Sequence, residues 1–239
     1  PIPDVPLTIA ETPPFLRAKY PVDAFQAPPL LSPAQGANYW ITPIPANWDR
    51  ARMLAKLREY NTFKLKIVAV DGYARYVQAA LASENPDEIS RLIRNVDPNR
   101  AYTRGWVWYL VESAMNLGYQ AGNEQFKLTW WKYKLEFLSN AILDIKMHTA
   151  NMSEDEARTL LQRQVFLEAG AVDSALRRIQ LSPTEATLSF VGAKEWQRAR
   201  EEYQEATTDF SLQSFHGKAL RAGAMPAAEL VYATTMETR

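Results

Sequence analysis

Hydrophobic and polar positions follow two regimes along the chain. Over residues 1–46 there is no helical period. Apolar residues (Phe15, Leu16, Phe25, Leu30, Leu31) are scattered among prolines, which take 11 of their 15 occurrences here. Proline removes backbone donors and blocks helix interiors, so this stretch is predicted to be an extended, irregular arm lying on the body of the protein. One strand is expected in it, over Asn38–Ile44, where aromatic and β-branched residues cluster. From Asn47 the spacing becomes helical. Trp48–Tyr60 places Met53, Leu54 and Leu57 on one side, and Phe63–Ala82 is more apolar and reads as a buried helix. Asn85-Pro86 reads as an N-cap with proline at the first helical position, opening a helix to about Val96. Tyr102–Tyr119 is apolar nearly all round, as a central helix is. A long helix is expected over Glu124–His148. Ser153-Glu-Asp-Glu156 and Ser182-Pro-Thr-Glu185 have the form of capping boxes, and Gly223 followed by Pro226 marks a helix end and a new start. The predicted fold is all-α: a multi-helix bundle over 47–239 carrying the proline-rich arm of 1–46, with at most one or two short strands.

Composition narrows the partners. The chain is 47% hydrophobic, enough for a sizeable core, and its 27 lysines and arginines balance 27 aspartates and glutamates. Without a net field, neither nucleic acid nor an anionic membrane is an expected partner. There are no cysteines, which removes disulfides, thiolate metal sites and a cysteine nucleophile together. No apolar run reaches the roughly 18 residues of a membrane span. The chain starts at Pro1 without a methionine, which fits leader removal, maturation or trimming. A periplasmic or secreted location is the favoured expectation.

Candidate chemistry is sparse. His148 and His216 are the only histidines, on distant helices and with no third metal ligand in sight. Asp144 and His148 stand at i, i+4 and can pair along one helix face. Trp106, Trp108, Tyr109, Trp130 and Trp131 could form a stacking platform, although aromatics on apolar helices are more often core. Ser153, Ser182 and Ser211 sit at helix starts, where serine caps.

Phe63–Gln78, FKLKIVAVDGYARYVQ, resembles the H-E-x-x-P-G-H-x-x-Q motif of the bacterial domain-of-unknown-function family 885, a zinc-peptidase-like family. With Tyr76-Val77-Gln78 on the motif's last three positions, its first His falls on Ala69, its Glu on Val70, its Pro-Gly on Tyr73-Ala74 and its second His on Arg75. Ala101–Tyr119 is similar to the family's E-G-W-x-x-Y stretch and matches at Gly105, Trp106, Tyr109, Gly118 and Tyr119, but the ligand position carries Arg104. Leu143–Thr149 resembles D-x-x-x-H-T and keeps Asp144 and His148. Leu181–Glu185 with Val191-Gly192, and Phe210–His216 with Gly223–Pro226, are similar to later segments. The resemblance covers the C-terminal part of the family, whose members carry a long helical region before it.

What the resemblance implies is mostly loss. Catalytic zinc takes three protein ligands and a water that a nearby Glu deprotonates. At those four positions stand Ala69, Arg75, Arg104 and Val70. No cofactor and no metal are therefore expected. If the two arginines point inward they need acidic partners, and Asp71, one turn before Arg75, is the nearest, with Glu112 and Asp144 as others. Asp71, Tyr109, Glu112, Asp144 and His148 are the candidate residual pocket. Two histidines six residues apart differ by about 240° on a regular helix. Replacing Pro-Gly by Tyr73-Ala74 permits a regular helix, with Gly72 as its weak point. The expected function is non-catalytic binding or assembly, in a homo-oligomer or with a protein partner supplying the preceding helical region. The alternatives are a hydrolase with relocated ligands (Asp71, Glu112, Asp144, His148) and a carrier of small carboxylates or peptides held by arginine forks.

Overall fold

The computed structural model describes residues 3–20, 22–29 and 32–236. Pro1, Leu30 and Leu31, which entered the reading of the arm, lie outside them. Among the described residues the elements run β1 (Leu7–Glu11), β2 (Asp23–Gln26), β3 (Ala37–Ile41), then α1 (Arg50–Glu59), α2 (Thr62–Ala82), α3 (Glu88–Val96), α4 (Arg100–Asn116), α5 (Glu124–Thr149), α6 (Glu154–Arg163), α7 (Ala169–Leu181), α8 (Glu185–Ala206), α9 (Leu212–Ala222) and α10 (Ala227–Met236). The multi-helix, all-α class is as the periodicity predicts. The arm is more ordered than its prolines suggest, with three strands in place of one. Backbone groups that proline leaves free pair laterally: β1 runs parallel to β3 (Ile9 opposite Tyr39) and β2 antiparallel to it (Phe25 opposite Tyr39), in the order β1-β3-β2.

The chain forms two compact units. The first comprises Pro1–Pro43, Asp71–Leu110 and Gly192–Arg239. Its core is aromatic: Tyr102, Trp106, Tyr109, Trp196, Tyr203 and Phe215 are all buried. Each polar handle in it has a partner, as burial demands. Trp106 Nε1 donates to the Ala74 carbonyl (2.8 Å), Trp196 Nε1 to that of Tyr102 (2.9 Å), and the Tyr102 hydroxyl to that of Ala219 (2.8 Å). α4 crosses α8 at two glycines. A Cβ on Gly105 would stand 2.1 Å from the Gly192 carbonyl carbon, and one on Gly192 would stand 1.8 Å from the Ala101 oxygen. The backbones touch, so neither position admits a side chain. The strands are tied to α2 by the Tyr76 hydroxyl, which donates to the Val5 carbonyl.

The second unit comprises Ile44–Val70 and Val111–Val191. Leu143, Leu161, Val165, Val172 and Leu176 form its aliphatic core. Ser153 and Glu156 make the predicted capping box at α6. On the side of α1 that carries Met53, Leu54 and Leu57, Met53 is half-buried and both leucines are exposed, and Glu59 is the helix's buried residue. Glu59 is held there by Lys132 and by the Glu168 amide.

Two helix starts differ from the sequence reading. α3 is capped by Asp87, whose carboxylate accepts from the Ile89 amide, and not by Asn85. Asn85 instead accepts from the Asp87 amide and donates to the Ala222 carbonyl. Ser182 closes α7, so it does not open α8. The groups that open α8 come from α5, as described below.

Candidate functional site

α2 is continuous through Phe63–Gln78, a stretch that holds no proline. Ala69 is exposed and Val70 half-buried. Arg75 lays its guanidinium over Asp71 in a fork, with Nε to Oδ1 at 2.7 Å and Nη2 to Oδ2 at 3.2 Å. The spacing of four residues puts both groups on one face of the helix. Gly72, between them, is the seat of an aromatic ring: a Cβ there would meet Tyr39 Cε2 at 2.8 Å. The Tyr39 hydroxyl donates to Asp23. Burial first, then the Asp23 carboxylate, pushes the Tyr39 phenol far above its ordinary range, and Asp71 adds to the effect while Arg75 opposes it. Asp23, Tyr39, Asp71 and Arg75 thus form one polar group where the strands meet α2. Asp23 and Tyr39 were not found from sequence. Their only signal was a tyrosine within an expected strand.

On α4, Arg104 is exposed. Tyr109 is fully buried, and its hydroxyl shares a hydrogen bond with His216 Nε2 at 2.9 Å. Glu112 is half-buried and ion-paired with Lys134.

Asp144 is 2% exposed and has a task in the backbone. Its Oδ1 accepts from the Thr184 amide (2.9 Å), and its Oδ2 accepts from the Thr187 amide (2.9 Å) and hydroxyl (2.8 Å). The carboxylate of α5 thereby satisfies amides that the first turn of α8 leaves without intrahelical partners, and its charge suits the positive end of that helix. His148 Nδ1 lies 3.2 Å from Asp144 Oδ1 and 2.7 Å from the Asp144 carbonyl oxygen. Asp71 thus pairs with Arg75, Tyr109 with His216, Glu112 with Lys134, and Asp144 with the head of α8 and with His148. Among the described residues, no group of three His, Cys, Asp or Glu side chains could hold a metal ion. Of the aromatics, Trp106, Tyr109 and Trp130 are core, Trp108 is half-buried and Trp131 is exposed.

The model of a family described as bacterial protein of unknown function (DUF885) matches residues 1–232. The chain belongs to this family. Two of the solved structures that share the fold are putative lipoproteins. One, a "putative lipoprotein of unknown function from Shewanella oneidensis", is 27% identical with a TM-score of 0.80, the match covering 100% of this chain and 41% of that one. The other, a "putative lipoprotein from Colwellia psychrerythraea", is 20% identical with a TM-score of 0.82 and coverage of 99% and 39%. This DUF885 chain therefore spans about two fifths of the length of either solved relative. No curated protein matches it. No helix among its described residues is long and apolar enough to cross a membrane.

His216 gives this DUF885 chain a measurable pH signature. Burial, with the positive charge of Arg200 adding to it, pushes the imidazole from 6.5 down to about 4. A histidine with a depressed folded-state pKa binds fewer protons than the unfolded chain between those two values. Its stability contribution is whole above pH 6.5 and falls as pH drops towards 4. The expected loss across that window is roughly 3 kcal/mol. Urea unfolding from pH 7 to pH 4 should show it, and His216→Gln should flatten that part of the profile. An unchanged profile in the variant would mean that other groups carry the dependence.

Proposed function

We propose that this chain is a non-catalytic, zinc-peptidase-like member of its family that acts in binding or assembly. The observation that carries the reading is the Asp71–Arg75 fork: in the stretch resembling the zinc motif, the only carboxylate is already engaged, and its partner is the residue standing at the second histidine position. Methyl and guanidinium groups at Ala69, Arg75 and Arg104 donate no lone pair to a cation, so these residues do not fit zinc. The general-base position holds Val70, which carries no proton acceptor. The retained Asp144 is occupied by backbone amides, which is work inside the fold. A hydrolase with relocated ligands gains no support, because Asp71 and Glu112 are ion-paired with Arg75 and Lys134 while Asp144 and His148 pair with each other. A carboxylate carrier built on Arg75 would first have to displace Asp71.

Exposed apolar helix faces support an assembly role, since contiguous apolar surface marks interfaces. On α3, Ile89, Leu92, Ile93 and Val96 are all exposed, and a groove of about 680 Å³ runs beside Ile93 between α3 and α10. The lipoprotein descriptions of the two solved relatives support a cell-envelope location.

The deciding experiment is metal content. The purified chain, incubated with zinc or manganese and desalted, should retain well under about 0.1 equivalent by inductively coupled plasma mass spectrometry, because high-affinity retention needs about three protein ligands. Retention near one equivalent, lost on Asp71→Ala or His148→Ala, would overturn the reading.

A further inference from the structure

α5 is apolar on two faces. One turns into its own unit, with Phe126, Trp130 and Leu143 buried. The other runs Leu128, Trp131, Leu135, Leu138, Ile142, Ile145, at intervals of three, four, three, four and three residues. Five of these six are between 39% and 73% exposed, and Leu138 is half-buried. The stripe is about 26 Å long at 1.5 Å per residue. A spacing that averages 3.5 residues is the seam on which helices pack side by side, knob into hole. A helix apolar on opposite faces belongs between two layers, and here one layer is present.

We propose that this face of α5 receives a second amphipathic helix with an apolar seam and acidic flanks, supplied by family polypeptide outside the stretch matched here. The proposal deepens the assembly reading and rests on it. Three observations choose the occupant. The heptad spacing asks for a helix rather than a strand or a loop. The solved relatives have more than half of their own length outside the matched part, so the fold is met elsewhere with further chain around it. The positions flanking the seam hold Lys127, Lys132, Lys134 and Lys146 and no carboxylate. A second copy of α5 would set lysine against lysine, whereas glutamates at a partner's flanks would face them. Lys132 and Lys134 reach Glu59 and Glu112 in their own unit, and Lys127 reaches Glu124 at 3.8 Å, so the rim is partly neutralised and the apolar seam supplies most of the affinity.

The test uses two designed peptides of about four heptads, with leucine along the seam and either glutamate or lysine at the flanks. Each is labelled and titrated into the 239-residue chain by fluorescence anisotropy. The glutamate peptide should bind about tenfold more tightly than the lysine peptide. Leu128→Glu with Ile142→Glu should weaken it by at least about tenfold. Both side chains are exposed, so the double variant should keep the parent's circular dichroism and melting curve. Equal binding of the two peptides, or undiminished binding to the double variant, would overturn the proposal. So would a stable dimer of the chain alone in light scattering that the same substitutions dissolve, because a second copy would then be the occupant. Metal retention would sink the non-catalytic reading and leave these titrations standing, so the two failures are separable.

Discussion

Gly192→Ala should unfold the protein or come close to it. A methyl group there would stand 1.8 Å from the Ala101 carbonyl oxygen, and the same crossing would press on Gly105 from the other side. A flexible side chain can move aside, but a helix backbone cannot without carrying its neighbours. α4 and α8 would have to separate, opening the layer in which Trp106 and Trp196 pack with ring centroids 4.9 Å apart. Alanine's better helix propensity returns about 1 kcal/mol. The expected net loss is on the order of 4 kcal/mol or more, a Tm drop of roughly 10 °C or failure to fold cooperatively. Gly170→Ala in α7 is the contrast. Nothing lies within 4 Å of a Cβ there, so a gain of a few tenths of a kcal/mol is expected. Differential scanning calorimetry of the two variants decides the matter. A Gly192→Ala protein that melts with the parent would mean that the two helices do not touch.

Asp144→Ala should cost nearly as much, about 3 kcal/mol, by leaving two amides and a hydroxyl at the head of α8 without their acceptor. Asp144→Asn keeps one oxygen acceptor but turns an N–H₂ group towards a donor, so it should recover less than half of that loss. Denaturant midpoints measured in chelator and in excess zinc should agree for the parent and for both variants, because the role is in the backbone. If Asp144→Ala leaves the midpoint unchanged, α8 is capped by something else. If the loss appears only with zinc present, Asp144 is a ligand.

The candidate site was legible where its chemistry is local. Arg75 and Asp71 are one helical turn apart, so their pairing follows from helix geometry once α2 is assigned. The capping box of α6 and the order of the helices follow in the same way, because periodicity and caps act over a few residues. Whether Arg104 points inward was left open by the sequence, because which face of α4 meets the core depends on α8 crossing at Gly105 and Gly192. Ser182 misled for a related reason. Its spacing from Glu185 fits a capping box, yet the amides of α8 are taken by Asp144, some forty residues earlier in the chain. A carboxylate buried beside a helix start outcompetes a hydroxyl, since it accepts several hydrogen bonds with a full charge.

Residue order by itself determined the helical class, most of the helix bounds and the absence of thiol chemistry. Those properties depend on side-chain identity and on contacts within a turn or two. The tertiary structure alone decided that the arm pairs into a sheet, that Tyr39 sits on Gly72, that Tyr109 meets His216 and that one side of α5 stays open. Each of these joins residues far apart in sequence. Packing selects such contacts through the shape and volume of whole helices, and no local pattern encodes them.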